Sequence, residues 1–184
     1  KGLASINSMT LNALRVCGSF ATTENGAEFL EKNKLIQPLV NFIVPQSMSS
    51  ENNMENSIAK SALMVASSFA SKLPISSESL SLTDSILDLL DSDNINVLTY
   101  VIAFLSNVVI HPDAAVSCSK QLQGIVDLFD KVNNDEYLTY EIVNILKRIV
   151  TCPEASITID NKKAISDLFT NAEKHINDNL FSSY

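Results

Sequence analysis

The octapeptide Leu14-Arg-Val-Cys-Gly-Ser-Phe-Ala21 returns three times along the chain in altered spelling: Leu63-Met-Val-Ala-Ser-Ser-Phe-Ala70, Ile102-Ala-Phe-Leu-Ser-Asn-Val-Val109 and Val143-Asn-Ile-Leu-Lys-Arg-Ile-Val150. The copies begin 49, 39 and 41 residues apart. From Leu11 the apolar positions run Leu11, Leu14, Cys17, Phe20 and Ala21, the i, i+3, i+4, i+7 rhythm of an amphipathic helix. A long helix that recurs at a near-constant interval is the mark of a repeat architecture, in which each unit buries its apolar face on its neighbours.

A second helix repeats in phase with the first: Leu35-Ile-Gln-Pro-Leu-Val-Asn-Phe-Ile43, Leu82-Thr-Asp-Ser-Ile-Leu-Asp-Leu-Leu90 and Gln121-Leu-Gln-Gly-Ile-Val-Asp-Leu-Phe129, with a decayed copy around Ile165, Leu168 and Phe169. The long first interval has a visible cause. Gln46–Asn56 (QSMSSENNMEN) is polar and without apolar period, so it reads as a loop insertion at 46–56. Removing about ten residues restores a period near 40. Short helices precede some of the second series, at Gly26–Lys32 and Pro112–Val116, and Pro112 and Pro153 each follow a long helix, where proline ends one helix or opens the next. Strand-like alternation is confined to Ala155–Ile159 (ASITI). The expected fold is all-α, one domain over 1–184, with units at about 8–45, 56–92, 93–132 and 133–175.

Composition agrees with that reading. Of 184 residues, 46% are hydrophobic, enough to bury a core and to exclude disorder as the main state. Four Gly, five Pro and no Trp are too few turn-formers for a sandwich of many short strands. The net charge of −8 argues against a nucleic-acid surface or an anionic membrane surface, both of which call for clustered Lys and Arg. Residues 51–100 hold seven acids against Lys60 and Lys72, an acidic middle that reads as a solvated face, with a surface for a basic partner as the alternative. The longest apolar run, Val97–Ile110, is shorter than the ~18–20 residues of a membrane span and is broken by Thr99, Ser106 and Asn107. Cys17, Cys118 and Cys152 are odd in number and widely spaced, so they do not form a disulfide framework. Free thiols point to the cytoplasm, with the nucleus also open. The chain opens at Lys1 without a signal peptide or a capping segment, and further repeats upstream are expected.

Chemistry-bearing constellations are sparse. His111 and Cys152 occupy corresponding corners one unit apart, where a nucleophile–base pair would need hydrogen-bond reach. His175 has no partner cluster in sequence. No metal-ligand spacing and no phosphate-cradling glycine loop occurs. Asp127 with Asp130, and Asp84 with Asp88 and Asp91, read as solvated helix faces rather than acid–base pairs. The expectation is no catalytic residue, no cofactor and no metal.

The segment Leu11–Val40, with a long helix ending in a small-small-apolar-Ala run, then a short helix and an xIxxLV helix, resembles the armadillo-repeat family. The resemblance covers about residues 8–152, though HEAT repeats share the spacing. It implies a right-handed armadillo-type α-solenoid of about three to four repeats, and a non-catalytic scaffold that binds a protein partner on its concave face. In peptide-binding members of that family, an Asn ladder and a Trp ladder on the third helices line the groove. Here the corresponding positions are Ser19, Ser68, Asn107 and Arg148 for the first, and Arg15, Met64, Ala103 and Asn144 for the second. Only Asn107 matches, so the chain is a divergent member by this measure and the grip on a basic nuclear-localisation peptide is not implied. Some armadillo proteins promote nucleotide exchange on Hsp70 chaperones or small GTPases, which is the alternative the resemblance allows. The residues Val16, Cys17, Phe20, Val65, Ala66, Phe69, Phe104, Leu105, Val108, Ile145, Leu146 and Ile149, on the other faces of the same helices, are expected to form the core.

Overall fold

The computed structural model describes residues 2–38, 53–72, 77–132, 135–155, 163, 165–167, 169 and 170. Among these the secondary structure is entirely helical. The helices are α1 (Gly2–Ala21), α2 (Glu24–Lys32), α3 (Ile36–Pro38), α4 (Asn53–Ala70), α5 (Ser77–Leu87), α6 (Ile95–Val108), α7 (Pro112–Lys120), α8 (Leu122–Lys131) and α9 (Glu136–Thr151). The four octapeptides form the C-terminal turns of α1, α4, α6 and α9, the four longest helices.

Those four helices form one layer in chain order: α1 packs on α4, α4 on α6, and α6 on α9. The shorter helices form a second layer. There α3 meets α5, α5 meets α7, and α7 and α8 both meet α9. The buried core is continuous from Leu14 and Leu30 at one end to Ile149 and Ile165 at the other. Phe69 and Phe104 are its largest fully buried side chains.

Local sequence explains where the helices start and stop. Thr23, Asn94 and Asp135 are side-chain N-caps, accepting from the backbone N–H groups of Gly26 (3.2 Å), Asn96 (3.1 Å) and Leu138 (2.9 Å). Pro112 opens α7 at its first turn, where a missing N–H costs nothing. The end of α2 is a Schellman turn. The Leu35 N–H donates to Leu30 O, the Lys34 N–H donates to Glu31 O, and Lys34 takes the left-handed conformation at φ 51°.

Glycine is required at Gly26. A Cβ there would stand on the carbonyl of Phe20, where α2 folds back across the end of α1. Between helices, the polar bonds join one unit to the next. Asn107 Nδ2 donates to Ser67 Oγ at 2.9 Å, Ser106 Oγ donates to Glu141 Oε2 at 2.6 Å, and Lys131 Nζ donates to Leu90 O at 2.8 Å.

Two expectations change. The loop insertion at 46–56 is too long at its C-terminal end, because Asn53–Asn56 already belong to α4. Asn-Met-Glu-Asn contains no Gly or Pro, so nothing stops the helix from extending upstream through polar residues. The remainder of that stretch, 46–52, lies outside the described residues, as does 156–159 of the strand-like segment. Nine of the twelve expected core residues are buried, Cys17 is half-buried, and Val16 and Phe20 are exposed. Their helix is the first of the layer, so α4 covers one face and leaves theirs open. Residues 165–167 are helical, Ile165 is buried, and Phe169 packs against the core, which places the decayed last copy on the end of the stack.

Candidate functional site: a cleft between the first two long helices

All eight groove candidates lie on the layer of long helices, and none is buried. Arg15, Ser19, Met64 and Arg148 are exposed, while Ser68, Ala103, Asn107 and Asn144 are half-buried. The first four in chain order, Arg15, Ser19, Met64 and Ser68, line one cleft of about 560 Å³ between α1 and α4. Leu14, Gly18 and Val65 give it an apolar floor, and Thr22 and Ser61 complete its wall.

The cleft opens at this junction for a reason that the repeat makes visible. Position 18 of α1 corresponds to Ser67 of α4 and Ser106 of α6. Ser67 and Ser106 each hold the next long helix by a side-chain hydrogen bond. Gly18 has no side chain to do so, and the space it leaves is bounded by Val65, whose Cγ2 would lie 3.6 Å from a Cβ placed there. At this position the α1–α4 junction therefore has a gap where the next two junctions have a clasp.

The polar groups around the cleft are arranged to present acceptors and one cation. Ser19 Oγ donates to Arg15 O (3.1 Å), Thr22 Oγ1 donates to Ser19 O (2.8 Å), and Ser61 Oγ donates to Ser57 O (2.8 Å). These hydroxyl protons are turned back onto their own helices, leaving oxygen lone pairs outward. Arg15 supplies the donors. Its guanidinium makes one long bond, 3.5 Å, to Asn12 Oδ1. Met64, half exposed, adds a polarizable, adaptable apolar wall.

The other four candidates are placed differently. Asn107 is committed to the structure, since its amide donates to Ser67 Oγ and to Ala103 O (3.1 Å). Ala103 and Asn144 occupy the corresponding face of α6 and α9. Arg148 lines a separate, smaller pocket of about 220 Å³ at the corner between units, with Ile110, Pro112, Cys152 and Glu154 among its walls. There Cys152 Sγ lies 3.3 Å from Glu154 Oε2 and 3.9 Å from Pro112 O, so adjacent corners touch. Sequence reasoning marked both prolines of that corner but not the pocket between them. It also missed Gly18, whose signal was a glycine in a column otherwise held by Ser67, Ser106 and Lys147.

The thiols differ in setting. Cys118 is buried in α7, and desolvation, with a smaller contribution from the Asp84 carboxylate, pushes its pKa up to about 12. Burial also raises that of Cys17, more modestly. Both are held as thiols at neutral pH. Among the described residues no group of three His, Cys, Asp or Glu side chains converges as a metal site, and no helix is long and apolar enough to cross a membrane. No protein-family model, curated protein or solved structure matches the chain.

Proposed function

We propose that the chain is an armadillo-type, right-handed α-solenoid of three to four units that works as a non-catalytic scaffold, holding a segment of a partner protein in the cleft between α1 and α4. The observation that carries this reading is the convergence of Arg15, Ser19, Met64 and Ser68 on one cleft with an apolar floor. A peptide bound there meets an apolar anchor site at Leu14, Val65 and Met64, acceptors for its backbone N–H groups, and a guanidinium for a carbonyl or carboxylate. Concave, mostly apolar sites with a few placed polar groups are the usual form of such a site. A rigid stack of helices presents it without the ordering cost that a mobile loop would carry.

The test is selection of peptides from a random displayed library on the intact chain, followed by titration of the selected peptides. Peptides should bind saturably to the wild type and at least about tenfold more weakly to Met64→Asp, since one desolvated anchor is worth about 1.4 kcal/mol or more. Enrichment of no peptide, or peptides indifferent to Met64→Asp, would place the function elsewhere.

A further inference from the structure

The four long helices share a second set of columns, which in α4 faces the preceding long helix, α1, and in α1 lies on the side away from α4. In α4 the column is Ile58, Ala62, Val65 and Phe69. In α6 it is Val97, Val101, Phe104 and Val108, and in α9 it is Leu138, Ile142, Ile145 and Ile149. All twelve side chains are buried, none more than 4% exposed. The same column in α1 is Met9, Ala13, Val16 and Phe20. It is equally apolar, falls within one narrow stripe at about 100° per residue, and is open: Met9 is 70% exposed, Val16 56% and Phe20 42%. Phe29 of α2, 49% exposed, extends the stripe by stacking on Phe20 with ring centroids 5.3 Å apart. A contiguous apolar stripe of this kind on an otherwise acidic chain marks an interaction surface.

The repeat also shows what such a column receives. In α4 it receives the opposite face of α1, made by Leu11, Leu14, Gly18 and Ala21. Leu14 and Ala21 are buried there, and Gly18 faces Val65. We propose that the Met9–Ala13–Val16–Phe20 face of α1 is a docking surface for one amphipathic helix carrying an apolar-x-x-apolar-x-x-x-small pattern, laid alongside α1 as α1 lies alongside α4. A second copy of this chain stacked end to end does not supply that helix. The corresponding face of α9 is Tyr140, Val143, Lys147 and Val150, with a charge where the pattern requires a small residue, and Lys147 Nζ already lies over the Phe169 ring at 5.7 Å.

The probe is a synthetic helix-stapled peptide of residues 2–21, which carries the required face, titrated by fluorescence anisotropy against the full chain. It should bind saturably at or below about 1 mM. Binding should weaken at least tenfold with Val16→Glu in the protein and with Leu14→Asp in the peptide, and should be unaffected by Met64→Asp, which tests the cleft and not this face. Val16 is exposed, so Val16→Glu is expected to keep the wild-type melting curve. If that variant unfolds, Met9→Glu, at the other end of the stripe, takes its place. Absence of saturable binding to 1 mM, or binding indifferent to both stripe variants, overturns the proposal. So does a concentration-dependent dimer that Val16→Glu dissolves and the peptide does not compete with, since the occupant would then be a second copy.

Discussion

Helices α1 and α4 have almost the same C-terminal sequence and opposite fates. Val16 and Val65, and Phe20 and Phe69, occupy equivalent positions, yet Val65 and Phe69 are sealed in the core while Val16 and Phe20 face solvent. Nothing within either octapeptide causes the difference. It comes from the neighbour: α1 covers α4 on that side, and no described helix covers α1 there. Amphipathic period specifies a helix and a face, whereas burial is a property of the pair.

Replacing the two phenylalanines separately breaks the comparison most sharply. Phe69→Ala should cost about 3–5 kcal/mol of unfolding free energy, the transfer and cavity terms of a buried aromatic. Phe20→Ala should cost about 1 kcal/mol or less, mainly the stacking on Phe29. Equilibrium denaturation of both variants measures the contrast, and equal losses would show that the Phe20 face is buried in solution.

The two glycines of this end should respond with opposite signs. Gly26→Ala drives a methyl group into the Phe20 carbonyl and should destabilise by about 1–3 kcal/mol. Gly18→Ala places its methyl in ordinary contact with Val65 within a helix and should stabilise by about 0.5–1 kcal/mol, while narrowing the cleft. Thermal melts of the pair decide it.

The smallest expected effect lies at the far end of the layer. Arg148→Glu on exposed α9 surface should shift stability by about 0.5 kcal/mol or less. Leu146→Glu, two residues away and fully buried, should unfold the chain. Similar melting curves for the two would mean that the faces of α9 have been exchanged.

Much of the architecture was legible because it rests on period. The four octapeptides, their near-40 spacing and the second-series helices at Leu82 and Gln121 follow from where apolar residues fall, while 39–43 of the first copy of that series lies outside the described residues. The same phase separated a column of unburied positions from the buried core column on α4, α6 and α9. What the period could not show depends on tertiary neighbours. Val16 and Phe20 carry a core pattern without a cover. The helical start at Asn53 lies in polar sequence, where a helix and a loop look alike until packing chooses. The cleft itself is legible only in hindsight, as Gly18 in a column of larger side chains, because a cavity is defined by the atoms that are missing from it.

The polar ties between helices have a shared dimension. Asn107 to Ser67, Ser106 to Glu141, Lys131 to Leu90 and Cys152 to Pro112 span 40, 35, 41 and 40 residues. Each therefore closes a loop of about one unit. A tension pulling the two ends apart would load these ties in series, and at the position of Gly18 the α1–α4 junction carries no hydroxyl to share that load. Extension would proceed in steps of one unit's contour length, about 130–145 Å at ~3.3–3.6 Å per residue less the folded span.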